Sequence, residues 1–216
     1  MIARFLAGIA LVLAFVPASA QTARDLEFQR GADELRAKLA TYFAALDERF
    51  KANDVSDALA PGNLVTEGAI RQTREKVRVR LLLIEERSAV MQRYMAEAEM
   101  YFRTANIDAA VRQAAIQNFA EARPKTMKLY GELTAAEVST LGVFAEILDF
   151  AETGLGRTVV RDGHLVFAAP DEFKRYSELV DRLRQAVIRE RRASEAYVAY
   201  QQQNRQQVDE LKRRLP

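Results

Sequence analysis

Histidine and cysteine are the side chains that most often carry metal or nucleophilic chemistry, and this chain has one of the first and none of the second. A zinc site of the usual Cys/His kind, c-type haem attachment, an iron–sulfur cluster and Cys-His catalysis all need more than that. The four-helix di-iron pattern needs two Glu-x-x-His motifs and is excluded on the same count. The single His164 follows Asp162-Gly163. It would have to be the base of any Ser-His-Asp triad, yet no nucleophile-elbow sequence accompanies it, so the expected place for it is in solvent. Asp162 reads as a turn residue rather than an acid. Gly154-Leu155-Gly156 follows a helical stretch instead of preceding one. A phosphate cradle needs the next helix N-terminus aimed at the anion, so this pair reads as a helix C-cap. Glu97 and Glu99 stand two apart and face different sides of a helix, which makes a poor acid/base dyad.

Three further groups invite a sharper reading. Arg71, Arg74, Lys76, Arg78 and Arg80 form one basic run, and Arg189, Arg191 and Arg192 another. Facing one another they could bind an anionic polymer or headgroup; balanced by Glu75, Glu85, Glu86, Glu190 and Glu195 through i,i+4 neighbours they are ordinary solvated faces, and that is the expectation. Met91, Met95 and Met100 with Tyr94, Tyr101 and Phe102 form a soft aromatic cluster, read first as core. The alternative is an apolar pocket of a few hundred Å³, with Tyr197 and Tyr200 lining the same region. No catalytic, cofactor-binding or metal-ligating residue is assigned: no cofactor and no enzymatic activity are expected.

The elements that would position these residues are helical. Arg4, an apolar run over 5–16, the helix breaker Pro17 and the small residues Ala18-Ser19-Ala20 have the form of a secretory signal with an A-x-A cleavage site. The run is too short for a comfortable membrane span of roughly 20 residues. Cleavage is expected after Ala20, delivering residues 21–216 as a single helical-bundle domain to the bacterial periplasm, not integral to the membrane. The 32 Lys and Arg against 30 Asp and Glu leave no general attraction to nucleic acid. Export permits disulfides, but without cysteine stability must come from packing. Nine Gly and five Pro in 216 residues are far too few for a disordered composition.

Leu35, Leu39, Phe43, Leu46 and Phe50 trace the stripe of a first helix over about 25–51, with Gly31 weakening its first turns so that order begins near Arg30. After a connection around Pro61-Gly62, with room for a short helical turn, Thr66 caps a second helix. Its seam of Val77, Leu81, Ile84, Ser88, Met91, Met95, Ala98 and Phe102 alternates steps of four and three, as in a coiled coil. Asn106 or Asp108 caps a third helix, which Pro124 should kink or break and which ends at Thr153-Gly154. Asp162-Gly163 between β-branched residues predicts a type I′ hairpin with strands at 158–161 and 164–167. A lone hairpin is unstable in water, so this one must pack on a bundle end or a partner. Pro170, Asp171 and Glu172 open the last helix. Its seam turns polar at Glu190, Ser194, Gln201 and Asn204 before Val208 and Leu211, as expected of turns projecting beyond the bundle.

The fold class is therefore all-α: an elongated antiparallel bundle of about four long helices with one small β-hairpin at about 158–167. The segment from Gly156 through Phe167, Gly-Arg-Thr-Val-Val-Arg-Asp-Gly-His-Leu-Val-Phe, followed by Asp171 and Tyr176, resembles the late segment of the uncharacterised YiaF-like bacterial envelope proteins. In these, helices flank a short hairpin ahead of a final helix. The resemblance implies a fold and a compartment; it carries over no site residues, and the lipobox cysteine of such proteins is missing here. The function expected is a non-enzymatic interaction or structural role in the cell envelope, with an envelope protein as partner or a second copy as a homodimer. The alternative is a ligand-binding or sensing bundle with a pocket near the Met/Tyr cluster.

Overall fold

A computed structural model describes residues 23–214, with side chains described over 26–206; the signal-sequence reading of 1–20 lies outside these residues. The chain is an all-α bundle of four helices with one small hairpin: α1 (Ala23–Ala52), a short 3-10 turn (Pro61–Leu64), α2 (Glu67–Thr104), α3 (Ala109–Thr153), β1 (Val159–Arg161), β2 (His164–Val166) and α4 (Pro170–Arg214). The contacts gather into two compact units, and all four helices contribute segments to both. The first comprises 23–47, 87–132 and 194–214, the second 48–86 and 133–193.

Local chemistry explains the boundaries. Thr66 Oγ1 accepts the Ala69 N–H at 3.4 Å, and Asp108 Oδ1 accepts those of Ala110 and Val111 at 2.8 and 3.3 Å, so both caps satisfy donors that a helix start leaves bare. Pro124 lies inside α3 without breaking it. The proline costs one internal hydrogen bond, while neighbouring groups use the turn's other carbonyls: the Thr126 hydroxyl donates to Ala122 O at 2.9 Å. The expected break is therefore absent. Gly31 does not delay α1 either, since the helix is continuous from Ala23 and Phe28 and Ala32 on either side of the glycine are buried.

In the first unit the helix segments alternate in direction. The Tyr101 hydroxyl donates to Phe28 O at 2.8 Å while Lys38 reaches Glu97, so α1 and α2 run oppositely. Arg123 meets Glu99 while Arg87 lies over Tyr130, which does the same for α2 and α3. Tyr130 packs edge-on against Tyr197 at 5.8 Å while Tyr200 approaches Ala122 O, which does so for α3 and α4. The core holds Leu39, Phe43, Leu46, Met91, Met95, Phe102 and Phe119. It also holds Gln201 and Asn204, 2% and 7% exposed. The polar seam of α4 does not project into solvent at these positions; its amides are packed in the core.

The second unit repeats the alternation. Arg49 pairs with Glu86 at 2.8 Å and the Arg80 guanidinium caps the Phe50 and Asn53 carbonyls at 3.3 Å. Arg74 bridges to Asp149 and Glu152 at 2.8 and 2.9 Å, and Glu146 meets Arg182 at 2.6 Å. Its core is Phe50, Leu64, Ile70, Val77, Leu83, Leu133, Ile147, Leu148 and Leu183.

Candidate functional site

Two places in the molecule depart from an ordinary packed bundle: the hairpin of the second unit and the polar centre of the first. The hairpin begins where α3 stops. The Gly154 N–H donates to Phe150 O at 3.1 Å, and Gly154 O accepts from Arg157 and Thr158 at 3.1 Å each. Gly156, at φ 78°, supplies the left-handed step that ends a helix. Asp162 at φ 49° and Gly163 at φ 77° are the two positive-φ residues of a type I′ turn. The register pairs Val159 with Val166, Val160 with Leu165 and Arg161 with His164.

Strand alternation then assigns the faces. Leu165 and Phe167 share one, and Phe167 packs into an aromatic group with Tyr176 at 5.2 Å, Phe150 at 6.1 Å and Phe173 at 6.1 Å. Burial in this group pushes the Tyr176 phenol above its ordinary pKa. Arg157 fastens the hairpin root by pairing with Glu172 at 3.2 Å and donating to Thr153 O at 2.9 Å. The opposite face carries Val159, Arg161, His164 and Val166, all exposed; Phe173, which packs on Phe167 of the first face, is 60% exposed. Arg161 makes no ion pair among the described residues, whereas Arg175 lies 6.0 Å over the Phe150 ring. The two strands form a two-stranded sheet.

The polar centre of the first unit gathers Arg87, Tyr94, Tyr130, Tyr197 and Gln201, each under 5% exposed. Arg87 lies 5.9 Å from the centroid of the Tyr130 ring. The Tyr94 and Tyr130 hydroxyls are buried with no hydrogen-bond partner among the described residues. Burial pushes the Tyr94 phenol up to about 12, with Arg36 pulling weakly the other way. Burial also raises Tyr197, with Tyr130 adding to the shift and Arg87 and Gln201 opposing it. These two phenols, Tyr94 and Tyr197, stay protonated at physiological pH. The sequence reading missed Arg87 as an interior residue. The signal was available: it lies three after Ile84 and four before Met91, both on the seam.

The other sequence candidates fall as follows. His164 is exposed on the outer hairpin face, Asp162 is a turn residue, and the Gly154–Gly156 stretch is a C-cap. Glu97 pairs with Lys38 while Glu99 pairs with Arg103 and Arg123, so the two carboxylates face different neighbours. The basic run of α2 is consumed only partly by i,i+3 and i,i+4 partners (Arg71 with Glu67, Arg78 with Glu75), because Arg74 reaches α3 and Arg80 reaches the end of α1. The Met/aromatic cluster splits: Met91, Met95, Tyr94 and Phe102 are buried, but Met100 is 61% exposed. Tyr197 joins Tyr94 as expected. The cavity beside this cluster is a half-open groove of about 180 Å³ between α2 and α3, lined by Phe102, Phe119 and Arg123 among others, smaller and more open than the pocket expected.

Among the described residues no group of three or more His, Asp or Glu is placed to hold a metal ion, and no helix is long and apolar enough to cross a membrane. The chain matches no protein-family profile, no curated protein and no solved structure.

Proposed function

We propose that this is an exported, non-enzymatic docking protein of the bacterial cell envelope, and that an edge of its hairpin adds an extended segment of a partner protein, alternate side chains of which lie along the outer face. The observation that carries the reading is the exposure of Val159 and Val166 on the face that carries Arg161. β-branched residues favour a pleated, half-buried surface, and a two-residue turn with both positive-φ positions specified holds that surface in one register. A two-stranded sheet leaves an outer edge of backbone donors and acceptors on each strand, the feature that strand addition uses. The aromatic group beneath keeps the hairpin folded without covering its outer face. The unpaired Arg161 sets the chemistry of the occupant: an extended stretch with alternating apolar side chains and a carboxylate placed opposite the guanidinium. The A-x-A sequence ending at Ala20 supports the address.

The test is a photo-crosslinking residue at Val166 in the full chain expressed with its leader, compared with the same probe at Arg189 on the exposed side of α4. The expected result is one discrete adduct from position 166, mapped to a single extended acidic-apolar segment. It should be lost in Arg161→Glu and Val159→Asp, retained in Val159→Ile, and accompanied by release of the leader at Ala20. Adducts of equal yield from both positions, or one indifferent to Arg161→Glu, would refute the docking reading. Retention of the leader would refute the address.

A further inference from the structure

The groove between α2 and α3 in the first unit has a composition that the docking reading does not use. Its floor is the edge-to-face pair Phe102 and Phe119, centroids 5.5 Å apart, 1% and 2% exposed. One wall is the α3 row Ile116, Ala120 and Pro124, spaced four apart. Ala120, exposed in the middle of this row, presents only a methyl group to the groove. Its rim is a charge triad. Arg103 donates to Glu99 Oε1 at 2.8 Å from one terminal nitrogen and 3.2 Å from Nε, and Arg123 donates to Glu99 Oε2 at 2.6 Å. The hydrogen bond from Arg103, then the charges of both guanidiniums, hold Glu99 below the usual carboxylate range. Two permanent cations thus share one permanent anion beside an aromatic floor, and each guanidinium keeps N–H groups that Glu99 does not use.

We infer that this groove is a binding site for a small apolar carboxylate. The volume, about 180 Å³, lies below the roughly 300–1,000 Å³ of pockets for drug-sized ligands, so the occupant is limited to a single ring or a short chain. The accessible row of Ile116, Ala120 and Pro124 takes the apolar body above the buried aromatic pair. The net positive rim takes the carboxylate in charge-assisted hydrogen bonds, the geometry in which guanidinium groups are most selective. A neutral ligand of the same shape forgoes the rim, and an ammonium is repelled by it. This site lies in a different unit from the hairpin and does not depend on what the hairpin binds.

The test uses benzoate, benzyl alcohol and benzylammonium as probes, titrated into the full-length mature protein at constant ionic strength. Binding is followed by ligand-observed NMR and by the amide shifts of residues 99–103 and 116–124. The expected result is saturable benzoate binding with a Kd on the order of 1 mM, the range open to a fragment with few atoms. Benzyl alcohol should bind at least tenfold more weakly, and benzylammonium not at all. Ala120→Leu, which fills the groove with a good helix former, should weaken benzoate at least tenfold. Arg103→Gln, which leaves the apolar floor intact, should abolish the preference for benzoate over benzyl alcohol. No saturable binding up to 50-fold above that Kd, equal binding of the three probes, or benzoate binding unchanged in both variants would overturn the assignment.

Discussion

Replacing Gly31 by alanine isolates one close approach between α1 and α2 in the first unit. A Cβ built at Gly31 would stand 2.8 Å from Tyr101 Cζ, 3.0 Å from Cε2 and closer still to the hydroxyl oxygen. The ring has little freedom to yield: it is stacked on Phe28 at 5.5 Å with planes 9° apart, and its hydroxyl donates to Phe28 O. Two effects compete. In a helix, alanine is better than glycine by about 0.8–1 kcal/mol. Displacing the ring forfeits a hydrogen bond of about 0.5–1.5 kcal/mol and part of an aromatic pair of about 0.5–1.5 kcal/mol. The losses exceed the gain, so Gly31→Ala should destabilise by about 1 kcal/mol. Tyr101→Phe is the wrong control, because Cζ and Cε2 remain in the way; Tyr101→Leu removes the obstruction. In that background Gly31→Ala should stabilise by about 0.8–1 kcal/mol, a reversal of sign and a coupling of about 2 kcal/mol. Urea denaturation followed by far-ultraviolet circular dichroism on the four proteins gives the cycle. A Gly31→Ala effect of the same sign and size in both backgrounds would refute the packing argument.

Other perturbations have equally definite outcomes. The Tyr94 phenol is raised to about 12 in the folded protein from an ordinary value near 10. The unfolded chain therefore loses this proton first, and this group's share of stability, full below pH 10, should fall by about 2 kcal/mol by pH 12; urea midpoints from pH 8 to 12 read this out, and Tyr94→Phe should remove that share of the fall, leaving the part due to the other raised phenols. Arg87→Ala opens a space beside Tyr130 in a region that is 2% exposed at Arg87; a loss of about 2–4 kcal/mol is expected in the same denaturation assay. Truncation after Ala199 removes the buried Tyr200, Gln201 and Asn204, so it should unfold the first unit, seen as lost amide protection over 87–132 with that of 133–193 retained. Gly163→Val places a β-branched residue at φ 77° and should cost about 1–2 kcal/mol, seen as loss of hairpin amide protection while the helices keep theirs.

Elements set by local periodicity and turn chemistry were readable from the sequence. The stripe from Leu35 to Phe50, the seam from Val77 to Phe102, the Thr66 and Asp108 caps and the Asp162-Gly163 turn each depend on residues within a few positions of one another; the stripe, caps and turn stand where expected, and the seam holds at Val77, Ile84, Met91, Met95, Ala98 and Phe102, with Leu83 and Arg87 buried where Leu81 and Ser88 were expected. What was not readable depends on partners far along the chain. Pro124 promised a break, but a long helix packed on both sides tolerates the loss of one hydrogen bond. Gly31 promised disorder, because its tyrosine neighbour lies seventy positions away. Gln201, Asn204 and Arg87 carried the polarity of a solvated face and are interior, since other polar groups of the unit accompany them there. At the hairpin the strands and turn were legible but the exposure of Val159, Val166 and Phe173 was not, because alternation fixes which residues share a face and leaves open which face meets water. The groove joins lining residues of α2 and α3, Glu99 and Arg103 with Ile116, Ala120 and Pro124, a combination that no single-helix pattern contains.

The amides of Gln201 and Asn204 inside the first unit have an effect on choice rather than on strength. A wholly hydrocarbon stripe on α4 would fit its neighbours nearly as well after sliding by one heptad, or when offered by another molecule. With amides on that stripe, every misaligned docking strands a carbonyl or an NH₂ group against leucine and phenylalanine, at about 1–3 kcal/mol for each group left without a partner. One seating of the last helix is thereby singled out from a family of near-equivalents, as a lone asparagine does in a two-stranded zipper.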